Sequence, residues 1–156
     1  MKRQGILGLG LGLAALLVSS VAQAAGPFQF YAITPCRIID TRNPVGPTGG
    51  PILTGDVQRN FPIDVSPAAC GIPSDAAAAV LNLVVVAPQG GGHLRVWPFN
   101  TPFPGVASLN FDPFEPAIAN GAIVPLTIDV NFQISVVLKT GGPQGHLVVD
   151  ATGYFK

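Results

Sequence analysis

The stretch "AVLNLVVVAPQGGGHLRVWPF", Ala79–Phe99, decides the fold class. Its first half is β-branched and apolar at successive positions, which reads as a central strand covered on both faces. "PQGGG" then breaks the run with turn chemistry, and "HLRVWPF" resumes an alternating strand that puts His93, Arg95, Trp97 and Phe99 on one face and Leu94 and Val96 on the other. Helix signals are nearly absent from the chain. Its 16 prolines and 19 glycines are scattered throughout, and no segment sustains an i, i+3, i+4 apolar pattern between caps. The alanine run "DAAAAV", Asp75–Val80, leads straight into β-branched residues and is granted one turn at most.

An echo of the same unit lies further on. "LNLVVVAPQGGGHLRV" (Leu81–Val96) and "ISVVLKTGGPQGHLVV" (Ile134–Val149) align without gaps, each running from a β-rich segment through a Gly/Pro/Gln turn into Gly-His-Leu. Two hairpins obeying one set of turn rules, or an internal duplication, both explain the match. Other strands are expected at Phe28–Ile33, Cys36–Asp40, Val57–Val65, Ser108–Phe111, Ala122–Ile128, Asn131–Lys139 and His146–Phe155, with a break near Asp129–Asn131. Val57, Phe61, Ile63 and Val65 would share one face. Eight or nine strands joined by turns predict an all-β fold, an antiparallel two-sheet sandwich of jelly-roll or Greek-key type.

The N-terminal segment is set apart from this domain. Lys2 and Arg3, an apolar run, and the small residues of "AQA" at 22–24 form a secretory leader over residues 1–24, leaving one domain over 25–156. Without the leader the balance is six basic to eight acidic groups, a net charge near −2. That excludes nucleic acid and charge-driven membrane binding as partners, and no membrane insertion is expected once the leader is removed. Cys36 and Cys70 are then the two cysteines of an exported chain, and a disulfide between them is the natural reading. Closing a loop of about 35 residues contributes roughly 4 kcal/mol of stability.

"PCRIIDTRNPVGPTGG", Pro35–Gly50, places an acid between two arginines ahead of a loop rich in proline and glycine. With period two, Cys36, Ile38, Asp40 and Arg42 share a face, and Asp40 is drawn toward the core, where a carboxylate requires a cation. Arg59 and Arg42 are the candidate partners in a structural clasp anchoring Asn43–Asp56. For ligand binding the sharpest constellation is Trp97 with Arg95, His93 and Phe103: an aromatic face stacks on a sugar ring while polar neighbours bond its hydroxyls. The competing reading makes Trp97 a core anchor. His93 and His146 open equivalent strands, but two ligands without a third do not define a metal site, so no metal or cofactor is expected. Asp40, Asp112, Glu115 and Asp150 are the acids available for glycoside hydrolysis.

Taken together, "PCRIIDTRNPVGPTGGP", "CGIP", "LNF", "AIVPL" and "HLVVDATGYF" resemble a domain of secreted and surface proteins from environmental bacteria, with a Pro-Cys-Arg-x-x-Asp-Thr-Arg opening and an Asp-x-x-Gly-Tyr-Phe ending. The resemblance spans about Phe30 to Phe155. It implies an extracellular β-rich module in which Cys36 pairs with Cys70 and Asp40, Arg42 and Asp150 serve the fold; it carries no activity with it. The expected function is a non-catalytic binding or adhesion module for an extracellular glycan or surface protein. The alternatives are a homo-oligomeric subunit of a surface layer or fibre joined at strand edges, and a glycan hydrolase.

Overall fold

The computed structural model describes residues 27–63, 70–129 and 131–156; the expected leader and Val65 lie outside them. Eight strands follow in order: β1 (Phe30–Asp40), β2 (Arg59–Phe61), β3 (Ala78–Val86), β4 (Gly92–Pro98), β5 (Leu109–Phe111), β6 (Ala117–Pro125), β7 (Ile134–Lys139) and β8 (His146–Phe155). They form two antiparallel four-stranded sheets, ordered β1-β8-β3-β6 and β2-β7-β4-β5, and there is no helix among the described residues. The chain is thus one long hairpin of strand pairs, 1 with 8, 2 with 7, 3 with 6 and 4 with 5, rolled so that successive pairs fall in alternate sheets. This is the jelly-roll connectivity.

The core is what the two inner faces enclose. Leu81, Leu83 and Val85 of β3 and Leu147, Val149 and Ala151 of β8 face Leu94 and Val96 of β4 and Ile134, Val136 and Leu138 of β7. Phe61 of β2 and Leu109 and Phe111 of β5 add to the core from the edge strands of the second sheet. Each such side chain contributes about 2 kcal/mol by leaving water.

Several local expectations change, each for a physical reason. The echoed units are not hairpins. β3 and β4 lie in different sheets, as do β7 and β8, so each turn is an arch between sheets; the arches stack through the Gln89 amide on the Gln144 carbonyl at 2.8 Å. β3 is buried on its inner face and only half-covered on the other. The two opening strands merge into one, β1, which runs through Pro35; a proline is tolerated there because β1 is an edge strand. β2 is far shorter than Val57–Val65. Pro62 cannot donate to a ladder, the Ile63 amide bonds the Gln133 side chain at 2.6 Å instead, and Val57 is 55% exposed. β6 starts earlier and ends at Pro125, before the expected Ile128, and β7 starts later than expected. The break between them is present: the Asp129 carboxylate accepts from the Asn131 and Phe132 amides.

Cys36 and Cys70 form the disulfide, tying β1 to the segment that leads into β3. Replacing both cysteines by alanine is expected to lower stability by roughly 4 kcal/mol, read as a shift of the denaturant midpoint. An unchanged midpoint would show that the crosslink constrains nothing the fold leaves free.

Candidate functional site

The acid between two arginines is settled by a bulge. Arg37 pairs with Asp150 and Ile39 with Val149, so Ile38 is an extra residue on β1. That extra residue reverses the alternation. Both isoleucines join the core, and Asp40, opposite Val148, turns to the outer face beside Arg37 and Asp150 rather than inward. Asp40 is still buried, 6% exposed, because the arginines close over it. Arg42 grips it with two bonds, Nε to Oδ1 at 2.8 Å and Nη2 to Oδ2 at 2.6 Å, and its backbone amide adds a third to Oδ1 at 3.1 Å. Arg37 bridges the acids, donating to both oxygens of Asp150 at 2.8 and 3.2 Å and to Asp40 at 3.4 Å.

Arg59 is not part of this clasp. It lies over the Phe61 ring at 4.5 Å and donates to the carbonyls of Gly46, Gly49, Gly50 and Pro51. Those four oxygens belong to the Pro/Gly loop, so Arg59 anchors the same segment through its backbone. Among the described residues no carboxylate bonds it, and burial lowers its pKa.

The aromatic constellation assembles on the outer face of the second sheet. His93, Arg95 and Trp97 of β4 stand opposite Lys139, Val137 and Ser135 of β7. Trp97 is only 4% exposed yet lies outside the intersheet core. Loop 99–107 folds back and sets Phe103 edge-on to the indole at a ring separation of 5.2 Å. The tryptophan is therefore neither the core anchor nor the open platform considered from sequence; its faces are covered. Arg95 holds the loop in place, with its guanidinium 4.7 Å from the Phe103 ring centre and Nη1 on the Pro104 carbonyl at 2.7 Å. Its Nε donates to His93 Nε2 at 3.0 Å, so that imidazole nitrogen carries no proton. Burial, with Arg95 and Lys139 nearby, pushes the His93 pKa down and keeps the ring neutral. Phe103 itself remains 53% exposed. The open aromatic surface here is Phe103, with Arg95 and His93 beside it.

His146 lies in the other sheet, with Nδ1 3.2 Å from the Thr41 hydroxyl, and does not share partners with His93. Among the described residues no group of three or more His, Cys, Asp or Glu side chains is placed to hold a metal. The acids are also committed. Asp40 and Asp150 are held by arginines, and Glu115 accepts from the Asp112 amide within its own turn. The Arg42 side chain, ahead of its backbone bond and the Arg37 charge, holds the Asp40 pKa at about 2, which leaves no proton to donate at neutral pH.

One surface escaped the sequence reading. Pairing of β1 with β8 stacks Tyr31 on Tyr154 at 5.1 Å and sets Phe30 against Phe155 at 5.4 Å, with the Phe30 ring covering Gly153. The aromatic density of "FQFY" and "GYF" was the available signal, but it becomes a cluster only once the terminal strands are known to pair. No helix of the described residues is long and apolar enough to cross a membrane. Comparison with protein-family models, curated proteins and solved structures finds no significant match.

A carboxylate whose folded pKa is depressed stabilises the fold above its unfolded value and loses that contribution as pH falls through the folded one. Asp40→Asn is expected to destabilise the protein at pH 7 by about 2 kcal/mol. The gap from wild type should close as the pH drops from about 4 toward 2. Thermal melts of both proteins across that range check this, and a gap that persists at the acid end would refute the ionic origin.

Proposed function

We propose that this chain is a non-catalytic extracellular binding module whose ligand class is polysaccharide or cell-wall glycan. The observation that carries the reading is the half-exposed Phe103 ring, fixed by the Arg95 guanidinium and by a perpendicular contact with the Trp97 indole on a sheet face. Sugar rings present C–H patches to such a ring, and holding it in place before binding lowers the entropy lost on binding. Arg95 and His93 supply donors at its margin, and exposed Asn110, opposite His93 on β5, adds an amide. Trp97 moves from a stacking role to a bracing one. The disulfide and the expected leader are both suited to an oxidising, extracellular setting. The arginine-bound acids weigh against a hydrolase.

The test is retention of the oxidised protein on insoluble polysaccharides and purified cell walls. Phe103→Ala should weaken retention by roughly tenfold with the fold intact and only a small fall in melting temperature from the lost contacts to Trp97 and Arg95. Trp97→Ala should lower both retention and melting temperature. Absence of retention on every matrix would overturn the glycan reading.

A further inference from the structure

A sandwich has four strand edges, and here three of them are blunted. β2 and β5 are three residues long each. β1 is longer, but it carries Pro35 and Arg37 and two irregularities in register, devices that discourage edge pairing. β6 is the exception. It runs nine residues, pairs with β3 without a register shift, and contains no charged side chain.

The direction of its free groups follows from two bonds at its ends. The Ala87 amide bonds the Pro116 carbonyl at 2.9 Å, and the Leu126 amide bonds the Ala77 carbonyl at 2.9 Å. In an antiparallel ladder bonded pairs alternate with unbonded ones. Even-numbered residues of β6 therefore bond β3, and the backbone groups of Ala117, Ala119, Gly121, Ile123 and Pro125 point outward.

Gly121 sits at the middle of this row, and the fold gives no reason for a glycine there. Its φ is not positive, and an added Cβ would meet nothing within 4 Å. A glycine here leaves the middle of the row without a side chain on the outer face, so nothing there crowds a strand laid alongside. Beside it on the same outer face stand Ala117, Ala119 and Ile123, the last 62% exposed.

We propose that the protein forms a closed two-fold dimer in which β6 pairs antiparallel with β6 of a second copy, with Gly121 opposite Gly121. The occupant of an edge must itself be a strand with free backbone groups, and this edge is complementary to itself. In that register every outward N–H from Ala117 to Ile123 meets a carbonyl, Ala119 lies against Ile123, and Pro125, which has no N–H, falls at the end opposite Ala117. No like charges meet, because the strand has none. With a single open edge among the described strands of each copy, the pairing closes at two rather than growing into the layer or fibre considered from sequence.

The decisive experiment uses sedimentation and cysteine crosslinking of the oxidised protein. At ~100 μM, well above the dissociation constant of a weak dimer, the sedimenting mass should double. Gly121→Cys should form a covalent dimer under mild oxidation, because paired Cα atoms in a bonded antiparallel pair lie about 5.5 Å apart, within disulfide reach. Ala117→Cys should not, since the two cysteines would lie about 27 Å apart along the paired strands. Gly121→Pro removes an outward N–H without touching the bonds to β3 and should return the protein to a monomer. A monomeric mass at that concentration, or Ala117→Cys crosslinking as readily as Gly121→Cys, would overturn the proposal.

Discussion

The pairing of the first strand with the last is the constraint on which the rest of the structure depends. Once β1 lies along β8, the remaining strands can only nest inside, β2 on β7, β3 on β6, β4 on β5, and the sheet orders follow. This pairing joins distant parts of the sequence, so its loop-closure cost is large, and the chain reinforces it several times over. The Arg37–Asp150 ion pair, the Tyr31–Tyr154 stack and the Phe30–Phe155 contact all cross from β1 to β8. The disulfide then fixes the middle of β1 to the approach of β3.

Much of this was legible in the sequence, and the failures share a cause. Alternation located β3, β4, β7 and β8 because their inner faces are purely apolar. It misplaced Asp40 because one inserted residue, Ile38, inverts every side chain after it, and an isoleucine looks equally at home in a strand or in a bulge. The same local equivalence made arches look like hairpins: a Gly/Pro turn serves either, and only the sheet to which the return strand belongs distinguishes them. Arg59 was given the wrong partner, since backbone carbonyls leave no trace in a residue pattern.

The position of Trp97 shows how a protein of low charge can keep an outer sheet face from becoming a sticky plane. Alternation sends the indole outward, where an uncovered ring would be a liability. Loop 99–107 returns over it, and Arg95 secures that loop through one carbonyl and one ring while its Nε donates to neutral His93. The result exposes a single phenylalanine in a fixed orientation, a smaller and better-defined surface than the tryptophan would have offered.

The β1–β8 arrangement also has a mechanical side. Gln29 and Lys156 bond each other through both backbone amides, so the two ends of the domain emerge side by side. Tension applied between them would load the cross-strand bonds one pair at a time, Phe30 with Phe155 and then Tyr31 with Tyr154, as a zipper opens, rather than all together in shear. Left to hydrogen bonds alone, such a domain would peel at low force. The peeling front reaches Cys36 early, and there the covalent tie to Cys70 carries the load from β1 across to the segment ahead of β3. Placed where it is, the disulfide takes residues 37–69 out of the line of force, so the end of β1 and the long loop after it feel no tension.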